Sequence, residues 1–97
     1  MKFRLTSAAE EEFTEAGLLL LEESPQAALS FVDEITSAIE EIAEFPNRYP
    51  IYDEDIRVKR THIHPYSIFY EIQSEYVLIL SISHDSRDEG HWKDRLV

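Results

Sequence analysis

The chain has 97 residues, 43% of them hydrophobic, no cysteine and a formal net charge of −11. That length suits a single domain over residues 1–97 with one modest core, the even spread of Leu, Ile, Val and Phe excludes a disordered tail, and the missing cysteines exclude disulfide staples and thiolate catalysis. A net negative chain lacks the positive surface whose counterion release drives binding to nucleic acid, so direct DNA binding is not expected; with no long uncharged apolar run for a signal peptide or membrane span, a cytoplasmic protein without membrane contact is.

Residues 2–6 (KFRLT) alternate charged with apolar or small side chains, which predicts a short amphipathic strand. Ser7 and Glu10 have the spacing of a capping box, so a helix is expected to start at Ser7. Ala9, Phe13, Ala16 or Gly17, Leu20 and Leu21 then form an apolar stripe over about 8–22. Ser24 followed by Pro25 marks a second N-terminus, because proline at N1 needs no amide partner. Ala28, Val32, Ile35, Ile39 and Ile42 carry that helix to near Glu44, with Phe31, Ala38 and Phe45 broadening the stripe. Pro46 stops it by disfavouring helix at the residue before it. So short a link predicts an antiparallel helical hairpin.

FPNRYPIYDEDI reads as an irregular loop. Three strands follow in the reading, 57–63, 66–72 and 76–84, the first of them edge-like because neither of its sides is cleanly apolar. The short links between them predict a meander, giving an α+β fold of order β-α-α-β-β-β with the hairpin packed on a curled antiparallel sheet. Charge divides along the same line. Residues 1–55 hold 14 Asp and Glu against Lys2, Arg4 and Arg48, while residues 56–97 hold six of each sign.

All four histidines lie after residue 61. Arg57, Lys59, Arg60 and Arg87 would join them in an anion site for phosphate or carboxylate if the strand ends converge, since guanidinium groups bind both bidentately. The other reading is that solvent-facing strand positions simply favour long polar side chains that answer the acidic helices. His62 and His64 have the spacing of metal ligands on one strand face but no evident third ligand, so no metal is expected. His84 ends the longest apolar strand, as a general base or as a hydrogen-bonded end-cap of the sheet. Trp92, between His91 and Arg95, reads as a packing anchor. With only Gly17 and Gly90 no glycine-rich phosphate loop is possible, and no cofactor is expected.

SPQAALSFVDEITSAIEEIAEFPNRYP, then IRVKRTHIHPYSIFYEI, then VLILSISHDSRDEGHWKDR, in this order, resemble the RelE/ParE superfamily of toxins from bacterial type II toxin–antitoxin modules, also described as plasmid-stabilisation proteins. The most telling elements are Phe45-Pro46, the Pro65-Tyr66 strand entry with Tyr70, and His84-x-x-Arg87 followed by Trp92 and Arg95. The resemblance implies a helical hairpin on a curled antiparallel sheet, an adjacent antitoxin as partner, and one of two targets: RelE-like members cleave mRNA on the ribosome, whereas ParE-like members inhibit DNA gyrase. Where the nuclease branch has YRLVY, this chain reads Tyr66-Ser67-Ile68-Phe69-Tyr70, with Ser67 in place of the arginine.

That departure favours the ParE-like branch, acting on gyrase through protein contact by Arg57, Lys59, Arg60, His84, Arg87, Trp92 and Arg95. A metal-independent endoribonuclease using Arg87, Arg60 and His91 on ribosome-bound mRNA is the alternative. A non-toxic antitoxin-binding module is the third reading. In each the antitoxin tail is expected to be basic, to complement the Glu-rich helices.

Overall fold

The computed structural model describes residues 1–86 and 93. Its elements are β1 (Lys2–Leu5), α1 (Ser7–Glu23), α2 (Pro25–Glu44), β2 (Ile51–Asp53), β3 (Ile56–Arg60), β4 (Tyr66–Ile72) and β5 (Tyr76–His84). The strands form one sheet in the order β1-β5-β4-β3-β2, and the hairpin of α1 and α2 covers one face of it.

The joint between β1 and α1 is built by Thr6, one residue earlier than the capping-box spacing indicates. Its backbone is extended, and its hydroxyl accepts the Ala9 amide at 3.1 Å while donating to the Leu80 carbonyl at 3.3 Å. One side chain therefore caps the helix and ties it to the sheet, which Ser7, already inside the helix, has no geometry to do. The α1–α2 reversal takes a single residue. Ser24 sends its amide to the Leu20 carbonyl at 2.9 Å and accepts the Ala27 amide on its hydroxyl at 3.3 Å, so it closes one helix and opens the next.

The sheet differs from the expected one in four respects. It is mixed, because β1 runs parallel to β5, with Lys2 opposite Tyr76 and Leu5 opposite Ile79. Alternation fixes which side chains face the core and is blind to strand direction, so a parallel partner far along the chain leaves no mark on it. The sheet is open and uncurled, with β1 and β2 at its edges. Part of the predicted loop is a strand, since β2 pairs with β3 and makes β3 an interior strand whose Val58 is buried. Finally, β3 ends at Arg60, and residues 61–64 turn away from it.

On the hairpin side Phe31, Ile35 and Ile42 of α2 pack against Ile68, Tyr70, Val77, Ile79 and Ile82, with Ala9 and Ala16 letting α1 approach closely. A bulge between Phe69 and Tyr70 adjusts β5: Phe69 pairs with Ser81 but Tyr70 with Ile79, which leaves Leu80 as the extra residue. That shift brings both Ile79 and Ile82 to the hairpin side, although they stand three apart. Val58, Phe69 and Leu80 form a smaller cluster with Tyr52, Ile56 and Leu78 on the other face.

Each helix also sends a carboxylate to the sheet end. Glu12 of α1 accepts the Ser81 hydroxyl at 3.0 Å and the Ile82 amide at 3.2 Å, beyond the point where β1 stops pairing with β5. Glu34 of α2 accepts three consecutive amides, from His62, Ile63 and His64, at 3.1, 2.9 and 2.8 Å. Partial burial alone would raise the Glu34 pKa. The amides of Ile63, His64 and His62 outweigh it, with the His64 charge adding to them, and hold the carboxyl below its ordinary value.

Candidate functional site

The polar groups concentrate where the end of β3, the start of β4 and the end of β5 meet. Strand pairing places Arg60 opposite Ser67, and Ser67 opposite Ser83. The Ser67 side chain is buried: its hydroxyl donates to Asp85 Oδ1 at 2.6 Å and accepts from Arg60 Nη1 at 2.6 Å. Arg60 and Asp85 are themselves 3.8 Å apart as an ion pair, both partly exposed, so solvent weakens their direct attraction and the serine between them fixes the geometry. Asp85 is held in turn by its own amide, which donates to the Pro65 carbonyl at 2.8 Å.

His84 sits beside this triplet. Its Nδ1 accepts the Ser86 amide at 3.0 Å and lies 2.7 Å from the Ser86 hydroxyl, so the neutral ring carries its proton on Nε2. Tyr66 stacks edge-on against His84 at 5.2 Å and packs on Phe31 at 4.8 Å. A cleft of about 290 Å³ opens next to these rings, lined by Glu12, Glu15, Leu19, Tyr66, His84 and Ser86. Among the described residues the corner therefore offers one guanidinium held by a serine and a carboxylate, and one exposed imidazole with a defined tautomer. Both are suited to contacting a charged surface, and neither is aligned as a nucleophile with its base.

The other basic residues expected here are elsewhere. Arg57 and Lys59 face the hairpin side of β3, the face opposite to Arg60, because strand neighbours alternate. Arg57 donates to the Tyr49 carbonyl at 2.7 Å and the Asn47 carbonyl at 3.3 Å. Lys59 pairs with Glu41 at 3.4 Å over the Tyr49 ring. Both pin the segment that leaves α2, so among the described residues the expected basic site divides into Arg57 and Lys59, which serve that segment, and Arg60 at the corner. Tyr70 completes that segment. Its hydroxyl donates to the Pro46 carbonyl at 2.6 Å, and burial pushes its pKa up to about 12, with Arg57 pulling weakly the other way.

His62 and His64 share no strand face: they lie in the 61–64 turn, where the His64 ring contacts Ser30 at 3.3 Å. Among the described residues no group of three or more His, Asp or Glu is placed to hold a metal ion, and no helix is long and apolar enough to cross a membrane. Arg87, His91, Trp92 and Arg95 fall outside the described residues. The sequence reading overlooked Lys93, whose ammonium bonds Asp53 at 2.8 Å, and the anchoring carboxylates of Glu12 and Glu34. Nothing local marks Glu12 apart from Glu10 or Glu11.

Residues 3–89 match the family described as the ParE toxin of the type II toxin–antitoxin system, parDE. The fold is similar to that of a solved structure titled "Chromosomal ParDE TA system from P. aeruginosa", at 18% sequence identity with a TM-score of 0.76, over 87% of this chain and 95% of that one. No curated protein matches the chain.

Proposed function

The chain belongs to the ParE toxin family of type II toxin–antitoxin systems, and from that premise we propose that it is a toxin subunit that inhibits DNA gyrase by protein–protein contact and is neutralised by a cognate antitoxin. The observation that carries this reading is the state of position 67. A nuclease of the related branch needs a cation there to stabilise phosphate charge; this chain has a buried serine, locked between Arg60 and Asp85. Arg60 and His84 then serve as contacts on a corner that meets the target, and Arg57 and Lys59 serve the fold.

The test is induction of the chain alone in a bacterium, with DNA and protein synthesis pulse-labelled separately, followed by a supercoiling assay with purified gyrase. DNA synthesis is expected to stop first, and supercoiling to fall with added chain and recover with Arg60→Ala. Intact supercoiling at saturating chain overturns the reading. Cut mRNA in a translating extract, lost in Arg87→Ala, would assign the endoribonuclease activity instead.

A further inference from the structure

Glu12 does more than anchor β5. Its carboxylate accepts the Ser81 hydroxyl at 3.0 Å, and the Ser81 oxygen lies 2.5 Å from that of Ser83. An ionised carboxylate only accepts and a hydroxyl has one proton, so Ser81 gives its proton to Glu12 and Ser83 gives its own to Ser81. The reverse arrangement would turn the Ser81 lone pairs toward a charged oxygen. The polarity of the serine pair is therefore set from α1, and the Ser83 oxygen is a preset acceptor. Ser83 is only 6% exposed, and among the described residues no donor reaches that oxygen.

Ser83 lines the cleft of about 290 Å³ that runs past Tyr66 and His84, and its surroundings there are of one chemical kind. Glu12 shares the lining with Glu15, which is exposed and stands one turn further along α1. His84 and Ser86 are bonded to each other through Nδ1. The rest of the lining is apolar, from Ala16, Leu19 and Ile82 and the ring of Tyr66; among the described residues no Lys or Arg takes part. Two carboxylates and a preset hydroxyl acceptor repel an anion, while an apolar wall and an aromatic ring suit a hydrocarbon stem that ends in positive charge. The volume stands at the lower end for ligand sites, so the ligand is small.

We propose that this cleft binds a primary ammonium group on a short alkyl stem, the ammonium donating to Ser83 and to the two carboxylates, and the stem lying along Ala16, Leu19 and the Tyr66 ring. An ammonium has three protons and no acceptor, which matches three acceptors supplied by a helix and a strand. A bare metal ion fits less well, since among the described residues no group of three His, Asp or Glu is placed to hold one. The site stands whatever the cellular target of the chain.

NMR of the full chain, titrated with butylamine, butanol and butyrate at constant ionic strength, tests it. Butylamine should shift the Ile82 and Ser83 amides and the His84 ring, at least about tenfold tighter than butanol, with butyrate shifting none of them. Ser83→Ala removes an acceptor and no charge, and should weaken butylamine about tenfold. Glu15→Gln, at an exposed position that leaves the fold alone, should weaken it as well, whereas Glu40→Gln, an equal loss of charge on α2, should not. Shifts spread evenly over the acidic helices, equal response to amine and alcohol, or parent-like binding by both Ser83→Ala and Glu15→Gln would each overturn the proposal. Nα-acetyl-lysine amide separates the two sources of such a group: tighter binding of butylamine assigns a free amine, and tighter binding of the lysine amide assigns a protein side chain.

Discussion

The two sides of the α1–α2 hairpin are made of the same kinds of residue and have opposite fates. On the inner side Phe31, Ile35 and Ile42 have no exposed surface at all, whereas on the outer side Leu29, only two residues from Phe31 on the same helix, is largely in water. The difference lies in what each side meets. The inner side meets a sheet face on which the Leu80 bulge turns both Ile79 and Ile82 toward it. Among the described residues the outer side has no such sheet face against it, so Leu18, Leu21 and Leu29 stay exposed. Apolar residues on both sides of a helix therefore do not by themselves say which side is interior; the surface that each side meets decides it.

The largest expected effect sharpens that contrast. Phe31→Ala or Ile35→Ala should destabilise the chain by about 3–4 kcal/mol in urea unfolding, since each opens a cavity in a core that cannot collapse freely. A loss below about 1 kcal/mol would mean that the inner side is no better packed than the outer. Next come the carboxylates at the rim of the inner side. Glu34→Gln should cost about 1–2 kcal/mol near neutral pH, because an amide has one acceptor oxygen for three backbone donors. The folded carboxylate titrates below its ordinary 4.5. The stability it adds is thus complete above that value and is lost as the pH falls through the lower folded one. Unfolding curves of parent and variant should converge in acid.

Tyr70→Phe should cost about 1 kcal/mol by leaving the Pro46 carbonyl without its partner. In the parent, stability should decline from about pH 10 upward until the folded hydroxyl ionises near 12, because the unfolded tyrosine gives up its proton first; the Phe variant should lack that decline. The smallest effect belongs to the outer side. Leu29→Ala should stay within about 0.5 kcal/mol of the parent, as expected of a surface position without partners. A loss as large as that of Ile35→Ala would break the comparison altogether.

Much of this was legible in the sequence, and the gaps have physical causes. The helix boundaries follow from Ser24-Pro25 and Pro46, β4 from the alternation of Tyr66, Ile68, Tyr70 and Ile72, and β5 from its long apolar run. The apolar stripe of α2 was found but placed slightly off: Ala28 and Val32 were read as core, although Val32 faces the outer side. Periodicity gives the existence of a face and not which of two neighbouring faces has a partner. The parallel placement of β1 was not legible because it depends on a strand more than seventy residues away. At the corner, Arg60, Ser67 and His84 stand out in the sequence, while nothing local gives the triplet's third member, Asp85, its place. The grouping of Arg57 and Lys59 with Arg60 failed on alternation across the two sheet faces. Ser67 had been read only as a missing arginine, whereas its hydroxyl holds Arg60 and Asp85 together.

The Thr6 hydroxyl that caps α1 reaches a carbonyl 74 residues further along the chain. A contact of such span forms late, because the intervening loop must close first, while the hairpin needs only its own neighbouring residues. As the polypeptide emerges during synthesis, both helical segments are therefore complete in length before β5 exists to receive β1. The hairpin side of the sheet corner, with Glu12 and Glu34 as its anchors, is thus made before the strand ends that those carboxylates hold.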